Sequence, residues 1–400
     1  MSSNLTNSSS QYEVILISAD DLSYRFLQEW KDLEKRSMVA NAFLAPELVM
    51  SQSSLRHCHQ QIQILACREI RTRKLIGLGA FDKVFSSTSL PFPHLITLQE
   101  SHAYRGGFLV DPQTCQEFYR ELLHFLKRHR DSIFGIELAN TRLNAEWCLE
   151  LRKYAPVESG SFRLSPHQEV PIVDLKLLHP DGLPHYWSSS RRKSYRKNRN
   201  RLEKQGDVTF SFARTPREKE RAFQTFLDLE QMSWKGELGT ALQSNERDLK
   251  FAEQLLNRSL NSDFLMLSEL KAGGRTAAVA MNFRSGQEVF AFKIGWDPEF
   301  KSCSPGTLHE IAMIDHLKAH CPEISRVDGC TGSDASYLAS IWPHRTTLGQ
   351  GMLCARKLAR GTGKLIRKIR AFKSWASRLT HSIVAGNGPE HSTPANLESH

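Results

Sequence analysis

The chain has 400 residues, a formal net charge of +10 and a pI of about 9.2; 40% of its residues are hydrophobic and 24% are charged. This length exceeds what one ordinary hydrophobic core supports, so we expect two domains, and no apolar run approaches the roughly 20 residues of a membrane-spanning helix. The eight cysteines are scattered without a CxxC pair, which favours reduced thiols in a cytoplasm. His57, Cys58 and His59 lack a second cluster that would complete four zinc ligands, so we predict no metal site.

The chain starts with a polar segment and continues with a strand-rich half. Residues 1–11 have neither a basic lead nor an apolar core, so they predict a disordered tail and not a signal peptide. The alternating runs QIQILACREI and KLIGLGAF predict a hairpin around Arg71 to Arg73. GFLVDP then leads into QTCQEFYRELLHFLKRH, whose apolar residues recur at helical spacing, and IFGIELAN supplies the following strand.

Prolines and glycines between residues 156 and 186 indicate a boundary between the two halves of the chain. After them, RRKSYRKNRNRLEK at 191–204 predicts a basic helix that Gly206 closes, and VTFSF follows as a strand. The next segment, REKERAFQTFLDLEQMSW, predicts a helix that ends near Trp234.

Residues 264–296 form the clearest unit, three alternating runs with two tight turns that predict an antiparallel meander. The helix predicted at 306–319 has a wide apolar face that packs on this sheet, and ISRVDGC returns as a strand. Ser304-Pro305-Gly306 opens the helix, which places unpaired backbone N–H groups and the positive end of a helix dipole beside a strand end. Such a place suits a phosphate-bearing ligand, although the same triplet also starts many helices that bind nothing.

The C-terminal sequence predicts a basic amphipathic helix over 351–380, interrupted by Gly361 and Gly363, and a disordered tail over 381–400. The positive charge of the chain is concentrated in this helix and in 191–204. A basic surface implies a partner such as nucleic acid, acidic lipid headgroups or an anionic substrate. The alternative is a solvated helix face that only aids solubility.

Both halves follow one plan of meander, Asp-Pro, helix and strand. Asp111-Pro112 corresponds to Asp297-Pro298, so two related α/β units in tandem are the simplest account. We therefore predict an α/β fold with a mixed sheet. The predicted segments are an N-terminal domain at 12–160, a linker at 161–185 and a C-terminal domain at 186–350.

The order of these motifs resembles the BioF2-like acetyltransferase domain of CelD-type acetyltransferases from cellulose and exopolysaccharide loci. The resemblance covers roughly residues 185–345 and lies in the order and spacing of the motifs. The matching positions are Arg192, Arg196, Leu202, Gly206, Ser233-Trp234, Phe292-Lys293, Asp297-Pro298, Ser304-Pro305-Gly306, Asp328 and the segment Gly332 to Trp342. The resemblance implies the GNAT fold, in a tandem arrangement similar to that of the Fem-type peptidoglycan aminoacyltransferases.

The resemblance also implies a donor and its binding residues. The donor would be acetyl-CoA or another acyl-CoA, whose pyrophosphate would meet the amides of Ser304, Gly306 and Thr307. Lys293 would contact a phosphate or the polar end of the acceptor. Strand alternation puts Phe292 on the face opposite Lys293, so an inward Phe292 would leave Lys293 solvated.

Direct acyl transfer needs a base for the proton of the acceptor and an acid for the departing thiolate. Asp328 is the first candidate base and Glu230 the second, and Tyr337 is the candidate acid. The alternative role is a structural cap or salt bridge for each carboxylate and ordinary packing for Tyr337. No Ser-His-Asp or Cys-His signature indicates a covalent enzyme intermediate.

The acceptor is expected to be a small molecule or a glycan- or lipid-linked group tied to envelope polysaccharide. Trp234, Arg192 and Arg196 are the candidate residues for binding it, with core packing as the alternative for Trp234. The protein is expected in the cytoplasm, with residues 355–380 holding it peripherally on an anionic inner membrane. DNA is not expected as a partner, because groove-reading motifs and stacking aromatics are missing.

Two other functions remain open from the sequence. A Fem-like aminoacyltransferase would take aminoacyl-tRNA as donor, with the basic helix at 191–204 as the tRNA contact. A non-catalytic, membrane-associated partner protein would keep the fold without the chemistry.

Overall fold

The computed structural model describes residues 10–56, 60–331 and 337–355, and it leaves the side chain of Trp234 undescribed. The predictions for His57, Cys58 and His59 and for the C-terminal basic helix and tail concern residues outside these ranges, apart from 351–355. Residues 1–9 of the N-terminal tail predicted at 1–11 also lie outside them, whereas Ser10 and Gln11 are described and directly precede the strand that begins at Tyr12.

The strands of the described residues form one mixed sheet. They are β1 Tyr12–Ser18, β2 Gln63–Glu69, β3 Leu75–Val84, β4 His94–Thr97, β5 Leu109–Val110, β6 Gly135–Arg142, β7 Ser161–Asp174, β8 Val208–Phe212, β9 Leu265–Ala272, β10 Arg275–Ser285, β11 Glu288–Trp296, β12 Arg326–Asp328 and β13 His344–Cys354. Their order across the sheet is β1-β2-β3-β4-β6-β13-β7-β12-β11-β10-β9-β8, and β5 pairs with β3. The predicted α/β fold with a mixed sheet is confirmed.

Helices cover both faces of this sheet. They are α1 Tyr24–Arg36, α2 Pro46–Ser51, α3 Cys115–Arg128, α4 Glu146–Tyr154, α5 Ser189–Glu203, α6 Pro216–Gln231, α7 Trp234–Glu237, α8 Glu246–Ser259, α9 Pro305–His320 and α10 Tyr337–Ile341. The predicted meander is confirmed as β9, β10 and β11, and the predicted basic helix and crossover helix are confirmed as α5 and α9.

The two halves of the chain exchange their last strands at the centre of the sheet. β7, which follows the first half, pairs with β12 of the second half, and β13, which ends the second half, pairs with β6 of the first. β7 and β13 also pair with each other along their full lengths, from His344↔Ile172 to Cys354↔Ser161. The two halves therefore share one continuous sheet.

This exchange places part of the predicted linker in a strand at the centre of the sheet. Residues 161–174 of the predicted 161–185 linker form β7. The prolines in this segment, which indicated a boundary in the sequence, lie at positions that a strand tolerates. Pro166 faces Gly349 at a register shift, where one ladder position is already irregular. Residues 351–354, predicted to begin the basic helix, are the end of β13. The division into two domains stays a prediction.

The Asp-Pro repeat has the same local structure in both halves. The Asp111 carboxylate accepts the N–H of Gln113 at 3.0 Å, and the Asp297 carboxylate accepts the N–H of Glu299 at 2.9 Å. In each case the aspartate caps a short 3-10 turn that leads into the crossover helix, α3 or α9. The turn fixes where each helix begins relative to the sheet.

The second half has a separate apolar core on each face of its sheet. Phe226 of α6 packs with Phe290 of β11 on one face, while Ile314 of α9 packs with Val289 and Val327 on the other. Burying each such side chain contributes roughly 1.5–3 kcal/mol. These two cores clamp β11 between α6 and α9 and so position the residues at its end.

Candidate active site

The parallel strands β11 and β12 separate after only three residue pairs. The three pairs are Glu288↔Arg326, Val289↔Val327 and Phe290↔Asp328. Beyond them β11 continues to Trp296, whereas the segment that follows β12 turns away from β11. The separation opens a gap between the two strands on the edge of β11. The described residues around it enclose a cavity of about 290 Å³.

A β-bulge marks the point where β11 enters this gap. Met281 of β10 pairs with Lys293 and the next residue, Asn282, pairs with Ala291, so Phe292 is the extra residue. Because the bulge interrupts the alternation, Phe292 and Lys293 lie on the same side of the sheet. Phe292 packs with Phe283 at 4.7 Å between ring centroids, and the Lys293 side chain is only 12% exposed. The expectation that an inward Phe292 would leave Lys293 solvated is therefore wrong.

The cavity wall combines backbone from the separated strands with side chains of α6–α7, α9 and α10. Its lining residues are Lys235, Asn282, Ala291, Phe292, Lys293, Ile294, Trp296, Glu310, Gly329, Thr331, Tyr337 and Leu338. Two of the predicted catalytic and cofactor-binding residues, Lys293 and Tyr337, are among them.

Glu310 is a buried carboxyl group that the sequence analysis did not select. It lies on the second turn of α9, is 3% exposed, and has no hydrogen-bond partner for Oε2 among the described residues. Its Oε1 accepts from the Tyr337 hydroxyl at 3.5 Å. Burial raises the pKa of Glu310 to about 8, and burial together with this neighbouring carboxyl raises the pKa of Tyr337. The signal in the sequence was an acid within the apolar face of a helix, between Leu308 and Ile311.

Glu230, the second candidate base, is fully buried and its oxygens are occupied. Oε1 accepts from Lys235 Nζ at 3.1 Å and from Lys293 Nζ at 3.4 Å, and Oε2 accepts the Leu242 N–H at 3.0 Å. Its carboxylate lies beneath the cavity wall and holds the two lysines in place. This arrangement supports the structural alternative for Glu230.

Asp328, the first candidate base, lies in a buried ion-pair network. Its carboxylate contacts Arg105 Nη2 at 2.5 Å and Arg142 Nη2 at 2.9 Å, and it accepts the Cys330 N–H at 2.8 Å. Burial alone would raise the pKa of Asp328, but the two guanidinium groups hold it well below its usual range. A carboxylate so strongly stabilised in its charged form is a poor proton acceptor, so this setting favours the salt-bridge alternative for Asp328 over its predicted role as base.

The start of α9 carries the three residues whose amides were predicted to bind phosphate. Ser304, at φ 53°, gives its own N–H to the Lys301 carbonyl at 3.2 Å, so this amide is not available as predicted. The Ser304 hydroxyl accepts from Asn198 of α5 at 3.1 Å and does not cap the helix. Gly306 and Thr307 thus begin α9 without a capping side chain.

Helix α5 lies beside this helix start and not in the cavity. Arg201 donates to the Ser302 carbonyl at 3.0 Å, while Arg192 donates to the Trp187 carbonyl at 2.6 Å and Arg196 is exposed. Neither Arg192 nor Arg196 lines the cavity. The role of the Trp234 side chain as an acceptor platform lies outside the described residues.

In the first half, the corresponding gap is filled by the chain itself. β4 and β6 pair in parallel at Leu95↔Ile136 and Ile96↔Glu137, and the segment around Gly106 then runs beside β6, where the Gly106 N–H donates to the Asn140 carbonyl at 3.3 Å. A Cβ at Gly106 would lie 2.4 Å from the Ala139 carbonyl oxygen, so only glycine fits there. Among the described residues, a cavity of only about 20 Å³ lies beside Gly106, compared with about 290 Å³ in the second half.

One group of possible metal ligands lies on the surface of the described residues. His179, Asp181 and His185 place one ligand atom each within 4.8 Å of one another, and the two imidazoles stack at 3.5 Å between centroids. None of the three lines the cavity. The prediction that the reaction uses no metal stays a prediction.

Comparison with known proteins supports the assignment of the second half. Residues 189–337 match the family model described as an acetyltransferase (GNAT) domain. No curated protein matched the chain. These matched residues are therefore similar to a GNAT acetyltransferase domain, and they include the start of α9 and the cavity lining apart from Leu338.

The chain is similar to several solved structures, of which FemX supports the fold. A crystal structure of FemX is similar with a TM-score of 0.56 at 13% identity, over 90% of this chain and 100% of that one. L-PGS from Bacillus licheniformis has a TM-score of 0.47 at 13% identity, over 88% and 96% of the two chains. The C-terminal domain of a putative lysylphosphatidylglycerol synthetase from Agrobacterium fabrum has a TM-score of 0.48 at 11% identity, over 86% and 95%. The predicted tandem GNAT-like fold is confirmed, and none of the described helices has the length and apolar character needed to cross a membrane.

Proposed function

We propose that this chain is an acyltransferase that moves an acyl group from acyl-CoA directly to an amine or hydroxyl group in the cavity between β11 and β12. The observation that carries the proposal is the buried carboxyl of Glu310, whose Oε2 has no hydrogen-bond partner among the described residues, in the wall of a gap between two separating strands. A proton acceptor with a pKa near 8 is poised for general-base chemistry near neutral pH.

The start of α9 and the free edge of β11 suit the two ends of the donor. The amides of Gly306 and Thr307, at the positive end of the α9 dipole, would bind the pyrophosphate. The acyl thioester would lie along β11 beyond Phe290, where β12 no longer pairs with it. This placement brings the thioester carbonyl into the cavity that Glu310 lines.

The reaction then needs one proton transfer at each end. The nucleophilic nitrogen or oxygen of the acceptor attacks the thioester carbon while Glu310 takes its proton, the new C–N or C–O bond forms, and the C–S bond breaks. The departing thiolate of CoA takes a proton from the Tyr337 hydroxyl, and Tyr337 regains one from Glu310 through the contact at 3.5 Å. Glu310 thus replaces Asp328 and Glu230 as the proposed base, and Tyr337 keeps its proposed role as acid.

Thermal unfolding in the presence of acetyl-CoA tests the donor assignment. Because a ligand that binds only the folded state stabilises it, acetyl-CoA should raise Tm, with adenosine as the control that lacks the pyrophosphate and thioester. Release of free CoA on addition of primary amines should accompany the shift. No stabilisation by acetyl-CoA, propionyl-CoA or CoA would overturn the proposal.

A second candidate donor is aminoacyl-tRNA, and one feature of α5 favours it. Arg191, Lys193, Arg196 and Lys197 are all exposed on this helix, and the FemX structure has a similar fold over the whole chain. Salt-sensitive tRNA binding without a response to acetyl-CoA would select this function. Substitution of Arg196 and Lys197 by glutamine should then weaken tRNA binding, with Lys83 on β3 as the control position.

The finer identity of the reaction is also part of the proposal. On the resemblance to CelD-type proteins, the acyl group is acetyl and the acceptor belongs to cellulose, exopolysaccharide or another envelope component. The protein would work in the cytoplasm, with residues 355–380 on the anionic inner membrane. Liposome binding that disappears on deletion of 355–380, with no ligand response, would instead support a non-catalytic membrane-associated partner.

A further inference from the structure

Two lysines in the cavity wall share one buried carboxylate. Lys235 of α7 and Lys293 of β11 both line the cavity, and both contact the same oxygen, Oε1 of Glu230, at 3.1 and 3.4 Å. We call Lys235 and Lys293 the lysine pair. Their side chains are 19% and 12% exposed, while Glu230 is completely covered.

The charges of this group do not balance. Two ammonium groups face one carboxylate, and the second oxygen of Glu230 is already bound to the Leu242 amide. Lys235 also donates to the Ile294 carbonyl at 2.9 Å. Among the described residues, the acceptor for Lys293 Nζ is Glu230. An ammonium group has three N–H donors, so Lys293 retains donors that can point into the cavity.

Neutralising Glu230 would require one lysine, not two. Placing two cations beside one anion in a poorly solvated wall is costly unless a further anion completes the group. Burial lowers the pKa of Lys235, and the nearby charge of Lys293 lowers it further, which agrees with an excess of positive charge. The lysine pair therefore offers the cavity more positive charge than the single carboxylate of Glu230 neutralises.

We propose that the lysine pair binds a carboxylate of the acceptor, so that the acceptor is a small molecule or terminal group carrying both an amine and a carboxylate. This inference rests on the proposed acyltransferase function, since the amine of the same molecule would point to Glu310, which lines the same cavity. A cavity of about 290 Å³ holds the thioester end of the donor and a group of a few carbon atoms. The carboxylate would fix the distance between the amine and the base.

The test compares matched acceptors that differ only in this charge. With acetyl-CoA as donor, β-alanine should give a kcat/KM at least about tenfold higher than its carboxamide. The reason is that only β-alanine carries the negative charge that the lysine pair binds. Aminoethylphosphonate is a third acceptor that distinguishes a carboxylate site from a general anion site. Binding of N-acetyl-β-alanine to the CoA-loaded protein, measured by calorimetry, provides a readout that does not depend on turnover.

Variants assign the discrimination to the two side chains. Lys293→Met and Lys235→Met should each raise KM for the amino acid about tenfold more than KM for the carboxamide, and Lys293→Arg should retain part of the preference. Lys271→Met is the matched control, because Lys271 also pairs with a buried carboxylate, Glu269 at 3.2 Å, but does not line the cavity. Each single variant leaves Glu230 one lysine, and circular dichroism with a Tm measurement checks that the variant is folded.

The outcomes separate this inference from the function on which it rests. Stabilisation by acetyl-CoA with equal use or binding of the carboxylate and carboxamide ligands would overturn the carboxylate site and leave the acyltransferase proposal intact. A loss in the Lys→Met variants that is the same for both ligands, or a preference for the phosphonate alone, would also overturn it. No response to any CoA ligand would overturn both.

Discussion

Glu310 and Asp328 are both buried carboxyl groups of the second half, yet their pKa values are shifted in opposite directions. At Glu310 the effect of burial outweighs that of the hydrogen bond from the Tyr337 hydroxyl, so the pKa of Glu310 rises to about 8. At Asp328 two guanidinium groups outweigh the same effect of burial. The residue with the unpaired carboxyl is therefore able to exchange protons near neutral pH, and the paired one is held charged.

The first prediction concerns turnover. Glu310→Gln keeps the size of the side chain but removes the base, so kcat should fall by about 10²- to 10³-fold while acetyl-CoA affinity stays the same. With a hydrazide acceptor, which is not protonated near neutral pH, wild-type kcat/KM should rise with pH up to about 8 as Glu310 ionises, and this limb should be absent in the variant. Glu269→Gln, at a buried acid that does not line the cavity, is the control; a wild-type profile in Glu310→Gln would remove Glu310 from the mechanism.

The second prediction concerns stability. The pKa of Glu310 is raised from 4.5 to about 8, so between these values the folded state binds the proton more tightly than the unfolded state. Stability therefore falls as pH rises through this window. Glu310→Gln should abolish this slope and gain up to about 5 kcal/mol relative to wild type between pH 4.5 and pH 8. Urea unfolding at several pH values measures it, and parallel curves for the two proteins would contradict the assigned shift.

At the scale of elements, the site depends on how β11 and α9 meet. The bulge at Phe292 turns Lys293 towards α6, and the end of pairing with β12 frees the edge of β11. Ser304, in the left-handed region, starts α9 beside that edge. Each feature is local. Only together do they place the helix start, the free edge of β11 and Glu310 around one cavity.

The third prediction tests the start of α9. In Gly306→Ala the added methyl would lie 3.8 Å from Ile294 Cδ1 and 3.9 Å from Trp296 Cδ1, which are ordinary contacts, so the fold should be unaffected. The methyl would however occupy the space beside the Gly306 and Thr307 amides. We expect CoA affinity to fall about tenfold, measured by calorimetry. Gln116→Ala, at the same position of α3, is the control and should bind CoA like wild type.

At the scale of the molecule, the exchanged strands β7 and β13 and the Asp328 network join the two halves. Arg105 and Arg142 come from the first half and reach Asp328 in the second, while Arg142 also contacts Glu288 at 2.5 Å. All four groups lie in the region where the sheet passes from one half to the other. The network therefore ties the filled gap of the first half to the strand that forms one wall of the cavity.

The fourth prediction concerns this network. Asp328→Asn leaves two buried guanidinium groups without their shared anion, which should reduce the free energy of unfolding by about 3–5 kcal/mol. Urea unfolding measures the loss, and Asp131→Asn, at a side chain that is 93% exposed, is the control. A variant as stable as wild type, but with turnover reduced and donor affinity unchanged, would restore Asp328 as the base.

Much of the fold was predictable from local patterns. Alternation and tight turns gave the meander of β9, β10 and β11, helical spacing gave α3 and α9, and Asp111-Pro112 and Asp297-Pro298 gave the repeat. Each of these signals is written in residues close together in the chain. The exchange of β7 and β13 was not predictable in this way, because it depends on pairing between segments nearly 200 residues apart.

The site was predictable only where its residues mark a local structure. The sequence alone indicated the start of α9 at Gly306, because Ser-Pro-Gly before an apolar helix has a direct meaning for backbone amides. It did not distinguish Asp328, Glu230 and Glu310, since the acidity of a carboxyl group depends on burial and on charges that other segments bring to it. Arg105 and Arg142, from the other half of the chain, decide the state of Asp328, and the packing of α9 against the separated strands decides that of Glu310.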